Sequence, residues 1–144
     1  MATYKTYSMT SEFETISIEG RKIEIPGNFK IVVSKDNLSQ LLTFEINRYF
    51  NGIDMTAMEV GIKYINPNKK ANRVLAVNVS ATSEKVTFSW ILDEDVACAK
   101  GAVRFSIDFV GETEHEEPYV WQTMPAQFNV EEGIWVGETV VPTP

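Results

Sequence analysis

A chain of 144 residues is about one domain long and buries roughly two thirds of the surface its unfolded form exposes, so its core needs no disulfide or metal to hold it together. Its 20 acidic and 13 basic residues give a net charge of -7, which opposes binding to a phosphate backbone and makes nucleic acid an unfavourable partner. A single cysteine, Cys98, excludes an internal disulfide and a thiolate metal cage, and no run reaches the ~20 apolar residues that would predict a membrane span.

Residues 1–12 read as a polar N-terminal arm with no apolar core of signal-peptide length, which predicts a product made in a cytoplasm. The arm is expected to be mobile unless docked, and its Tyr4 and Tyr7 are candidate partner-binding residues. A β-sandwich domain is expected over 13–137, followed by a C-terminal tail over 138–144 whose prolines cannot continue a central strand.

Within the domain, alternation with a period of two dominates, the pattern of half-buried antiparallel strands. Ile16–Ile25 reads as a hairpin turning at Glu19-Gly20, and Phe29–Val33 as a strand after the Pro26-Gly27-Asn28 turn. Leu42, Phe44 and Ile46 share one face of the next strand. The aromatic-rich stretch Arg48–Pro67 carries Asn51-Gly52, turn chemistry that supplies positive φ, ahead of a strand whose Val60, Ile62 and Tyr64 point inward. Leu75, Val77 and Val79 repeat the pattern. So do Val86, Phe88, Trp90 and Leu92, and then Val103, Phe105, Ile107 and Phe109. Between these two runs, Asp93–Lys100 is the best helical candidate, with Asp93 as cap and Gly101 as stop. Tyr119–Thr123, Gln127–Val130 and Ile134–Val136 complete the strands. The whole predicts an all-β, antiparallel sandwich or barrel of about seven to nine strands with at most one short helical turn.

Candidate chemistry is sparse. His115, in Glu112–Glu117, is a lone imidazole among glutamates and lacks the three or four convergent ligands of a zinc site, so it reads as part of a solvated acidic loop. Asp93-Glu94-Asp95 lacks the spaced oxygens and glycine of a calcium loop. With no second histidine, a Ser-His-Asp or Cys-His device has only His115 to build on, and Cys98 reads as a small buried hydrophobe. No metal, cofactor or catalytic residue is expected. Trp90 and Trp121 read as core fillers whose N–H groups find partners, with a sugar-binding platform as the alternative. Trp135 either packs under the sandwich edge or anchors a neighbouring subunit. Asn37-Leu-Ser39 and Asn78-Val-Ser80 match the glycosylation pattern, which has no force without a secretory signal.

Four stretches, in order, carry a resemblance: Arg21-Lys-Ile-Glu-Ile-Pro26, RYFNGIDMTAMEVGIKYINPN (48–68), VTFSWILDEDVACAKGAVRFSIDFVG (86–111) and EEPYVWQTMPAQFNVEEGI (116–134). Together they resemble the immunoglobulin-like domain of bacteriophage tail and baseplate structural proteins, such as the N-terminal domain of baseplate upper proteins. The resemblance implies a non-enzymatic virion component that docks on other phage structural proteins, with homo-oligomerisation on the particle a further option. Because the sequence stops at Pro144, the expected role is a tail or baseplate adaptor, or a decoration protein on capsid or neck. A carbohydrate-binding or host-receptor-binding module using exposed aromatics is the alternative expectation.

Overall fold

The computed structural model describes residues 3–25, 30–34 and 36–133, with the side chains of 30–33 left aside. The expected Pro26–Asn28 turn, the strand at Ile134–Val136, Trp135 and the 138–144 tail lie outside the described residues. Thirteen strands are described. Seven of them frame a sandwich: β4 (Gln40–Asn47), β7 (Glu59–Ile65), β8 (Ala71–Leu75), β9 (Val77–Ala81), β10 (Lys85–Leu92), β11 (Gly101–Glu112) and β13 (Ala126–Glu131). The others are short: β1 (Ile16–Glu19), β2 (Lys22–Glu24), β3 (Lys30–Val33), β5 (Tyr49–Phe50), β6 (Ile53–Asp54) and β12 (Pro118–Gln122).

The first sheet runs β2-β1-β4-β10-β9 and the second β3-β13-β11-β7-β8, with β12 also paired to β11. The runs β4-β10-β9 and β8-β7-β11-β13 reproduce the B-E-D and C′-C-F-G orders of an immunoglobulin-type sandwich. Most pairs are antiparallel; β1 with β4 and β13 with β3 are parallel.

Alternation builds the core. Leu42, Phe44 and Ile46 on β4 and Val86, Phe88, Trp90 and Leu92 on β10 point inward from the first sheet. Val60, Ile62 and Tyr64 on β7 and Val103, Phe105, Ile107 and Phe109 on β11 meet them from the second. Trp90 sits at the centre, its ring 5.1 Å from Phe105, 5.6 Å from Tyr64 and 5.7 Å from Phe128. Its Nε1 and that of Trp121 have no hydrogen-bond partner among the described residues, contrary to the expectation for a buried indole. The energetics allow it. Burying an indole contributes about 4–6 kcal/mol by area, against about 1–3 kcal/mol for one unsatisfied donor.

The turn residues act as their chemistry predicts in two places. Gly20 takes φ +60 at the β1–β2 turn, and Asn51-Gly52 takes φ 50 and 80 between β5 and β6. The expected single helical turn exists, but at Met55–Ala57, where Asp54 Oδ1 accepts from the Thr56 N–H, and not at Asp93–Lys100. In the latter segment Asp93 Oδ1 accepts from the Asp95 and Val96 N–H groups, and one Ala97 N–H bond returns to the Asp93 carbonyl. There the turn stops. Neighbouring Val96 and Ala97 both bury, while Tyr64 Oη donates to Asp95 Oδ2 at 2.5 Å and Asn66 Nδ2 donates to the Asp95 carbonyl. Cys98, expected buried, is only half-buried beside that plug.

The Leu75, Val77, Val79 run is not one strand. β8 belongs to the second sheet and β9 to the first, and the chain crosses between them at Ala76, which is 1% exposed. A small residue lets the backbone pass close to β7, where the Ala76 N–H donates to the Val60 carbonyl. The crossing shifts the phase by one residue, so Leu75 faces out while Val77 faces in.

A candidate docking face on the second sheet

The outward positions of β7, β8, β11 and β12 assemble a surface unlike an ordinary solvated sheet. Register places Gly61 between Asp108 and Leu75, and Lys63 between Ser106 and Arg73. Asp108 is only 3% exposed although it sits on an outward position. Arg73 covers it: Nη2 donates to Asp108 Oδ1 at 2.7 Å and Nε to both carboxylate oxygens, while Nη1 donates to Glu59 at 3.0 Å. The Asp108 carboxylate, through these bonds, holds the Arg73 guanidinium above its ordinary pKa. Lys63 adds a second cation 4.0 Å from Asp108 and donates to Gln122 on β12.

Arg73 reaches from edge strand β8 across β7 because Gly61 has no side chain. A Cβ there would lie 2.5 Å from the guanidinium carbon. Glycine inside a strand often marks such a close approach, and an outward glycine between inward Val60 and Ile62 is the sequence signal for this network. It was not among the sequence expectations.

Around the network lie apolar side chains in water. Of the large hydrophobic residues that are exposed among those described, Ile65 at 41%, Leu75 at 39%, Val120 at 58% and Met124 at 54% belong to this sheet or its β12–β13 bend. The bend itself is braced: the Thr123 N–H donates to the Ile107 carbonyl, and its Oγ1 accepts from the Ile107 N–H, both at 2.9 Å. Next to it Pro125, Ile65 and Ala71 line a groove of about 460 Å³ whose charged rim is Lys63, Arg73 and Arg104.

The residues expected to bind partners fall elsewhere. Tyr4 and Tyr7 lie on an arm folded against its own sandwich beside the sheet crossing. The Tyr4 hydroxyl accepts from the Val60 N–H at 2.9 Å, and burial raises its pKa. Asn78, at φ 51, accepts from the Tyr7 N–H at 2.6 Å and donates to the Tyr7 carbonyl, and its own N–H reaches the Lys5 carbonyl. Trp135 lies outside the described residues. Trp90 and Trp121 are 1% and 2% exposed, so neither presents a ring face to solvent. His115 is exposed in its acidic loop, and among the described residues no three His, Cys, Asp or Glu side chains converge on a metal position.

The fold is an all-β sandwich whose second sheet presents exposed aliphatic side chains beside the Arg73–Asp108 ion pair. No protein-family model matches the chain, and no curated protein matches it.

Proposed function

We propose that this protein is a non-enzymatic structural component of a bacteriophage particle, a β-sandwich adaptor or decoration subunit that docks on other phage proteins through the outer face of its second sheet. The observation that carries the docking is the exposed Ile65, Leu75 and Val120 at outward positions of the strands that hold the Arg73–Asp108 ion pair, with Met124 exposed at the adjoining bend. Exposed apolar patches mark interaction sites, and a pre-formed ion network fixes orientation at little ordering cost. The phage assignment rests on the four-stretch resemblance. The non-enzymatic reading rests on that same resemblance, alongside inward rings and aliphatics that pack into one core. The carbohydrate-binding alternative has less support: among the described residues the exposed large hydrophobics include one aromatic, Tyr49, and a single ring is half of a stacking platform.

The test is mass spectrometry of gradient-purified particles from cells expressing the gene with its neighbouring reading frames. Stoichiometric recovery in the particle is expected, and recovery is lost in a Leu75→Glu/Val120→Glu variant that remains folded. A protein absent from particles, or retained at full copy number with both glutamates in place, contradicts the proposal.

A further inference from the structure

The groove beside Pro125 narrows the identity of one partner. Its floor is apolar and its rim carries Lys63, Arg73 and Arg104 on a protein whose net charge is -7. Arg73 and Lys63 are engaged with Asp108, Glu59 and Gln122, but the Arg104 side chain has no hydrogen-bond or ion-pair partner among the described residues. An exposed arginine beside an apolar slot suits a carboxylate-bearing loop.

The chain carries such a loop. The end of β11 and the β11–β12 connection hold Glu112, Glu114, Glu116 and Glu117, all exposed. It is closed by the Thr113 N–H donating to the Glu117 carbonyl at 2.8 Å and the Glu116 N–H donating to the Thr113 carbonyl at 3.0 Å, with Glu116 at φ 60. Loop and groove lie towards opposite ends of β11. Between Arg104 and Glu112 the strand spans about 26 Å at ~3.3 Å per residue, so the loop cannot fill the groove of its own molecule.

We infer that the groove takes the Glu112–Glu117 loop of a second copy of this chain, giving a head-to-tail contact. The inference deepens the docking reading by naming one partner of that face. Such a contact joins two different patches, so it closes into a ring or extends as a filament according to the rotation between copies. Opposite charge drives it, which makes it salt-dependent.

Sedimentation velocity of the full chain across a concentration series, in low salt and in 1 M-range salt, tests this with two charge reversals: Arg104→Glu in the groove and Glu114→Lys/Glu116→Lys in the loop. Wild type is expected to self-associate in low salt and to dissociate in high salt. Each variant, with an unchanged circular dichroism spectrum and melting temperature, should associate at least about tenfold more weakly, a difference of roughly 1.4 kcal/mol. Mixing the two variants should restore one wild-type contact per pair, so the mixture associates under conditions where each variant alone is monomeric. Wild type that stays monomeric in low salt at the highest concentration overturns the inference, as does self-association that ignores both reversals or a mixture that stays monomeric. A monomeric wild type that is still recovered in particles leaves docking on a different phage subunit standing, so the two failures are distinguishable.

Discussion

The outer faces of the two sheets share strand geometry and differ in what they hold. On the first sheet, β4 and β10 present Thr43, Glu45 and Asn47 opposite Ser89, Thr87 and Lys85. Thr43 and Ser89 share a hydroxyl bond at 3.0 Å, Lys85 donates to Asn47, and the aliphatics Leu41 and Ile91 sit at one end. That face pairs polar side chains across neighbouring strands. On the second sheet the outward positions hold a nearly buried carboxylate, an arginine laid over a glycine, and aliphatic side chains in water. The difference teaches that strand periodicity assigns residues to faces, while the chemistry of the outward set decides whether a face carries cross-strand polar pairs or exposed aliphatics around a buried carboxylate.

The largest expected effect is on the ion pair that organises the second face. Arg73→Met removes the main partner of a carboxylate whose side chain is 4% exposed. Breaking a buried pair on one side costs about 3–5 kcal/mol. Because the Arg73 side chain is one-third exposed and Lys63 remains nearby, the low end, about 3 kcal/mol, is expected in urea melts. A loss below 0.5 kcal/mol means that the network does not organise the face. Gly61→Ala comes next. Alanine in a strand normally stabilises relative to glycine by about 0.5–1 kcal/mol; here its Cβ pushes Arg73 off Asp108, so the sign reverses to a loss of about 1–2 kcal/mol. Both substitutions act through one pair, so the double variant should lose less than the sum, as a double-mutant cycle will read. On the first face Thr43→Ala removes one neutral hydrogen bond and costs about 1 kcal/mol or less.

The smallest effect comes from an ion pair on neither face. Arg48 Nε and Nη2 bind Asp54 at 3.1 Å, and these bonds, helped by the Thr56 hydroxyl, bring the Asp54 pKa from 3.8 down to about 2. A carboxyl held below its unfolded value contributes stability that is fully present above about pH 4 and is lost as pH falls through 2. The urea midpoint of wild type should therefore drop slightly more between pH 4 and 2 than that of Asp54→Asn. Equal drops exclude the pair as a contributor.

Much of the frame was legible because period-two patterning survives wherever one face is buried. Val86–Leu92 and Val103–Phe109 occupy the inward positions their alternation assigns, and Asn51-Gly52 turns where positive φ is needed. The sheet crossing was not legible. Leu75, Val77 and Val79 alternate in sequence, and only tertiary pairing shows that buried Ala76 breaks the phase. Asp93–Lys100 has a cap and a stop, yet tertiary demands from Tyr64, Asn66 and the adjacent burial of Val96 and Ala97 overrode local propensity. The docking face was hidden for a similar reason. Arg73 and Asp108 are 35 residues apart, and nothing in either strand's pattern announces their meeting except the outward glycine between them.

Which outer face meets a partner separates docking through the second sheet from docking through the first. Hydroxyl-radical footprinting of the protein, free and on purified phage particles, reads this residue by residue. Docking through the second sheet predicts strong protection of Ile65, Leu75, Val120 and Met124 on the particle, with Thr43 and Thr87 unchanged. Protection of the first sheet with the second still fully labelled would contradict it.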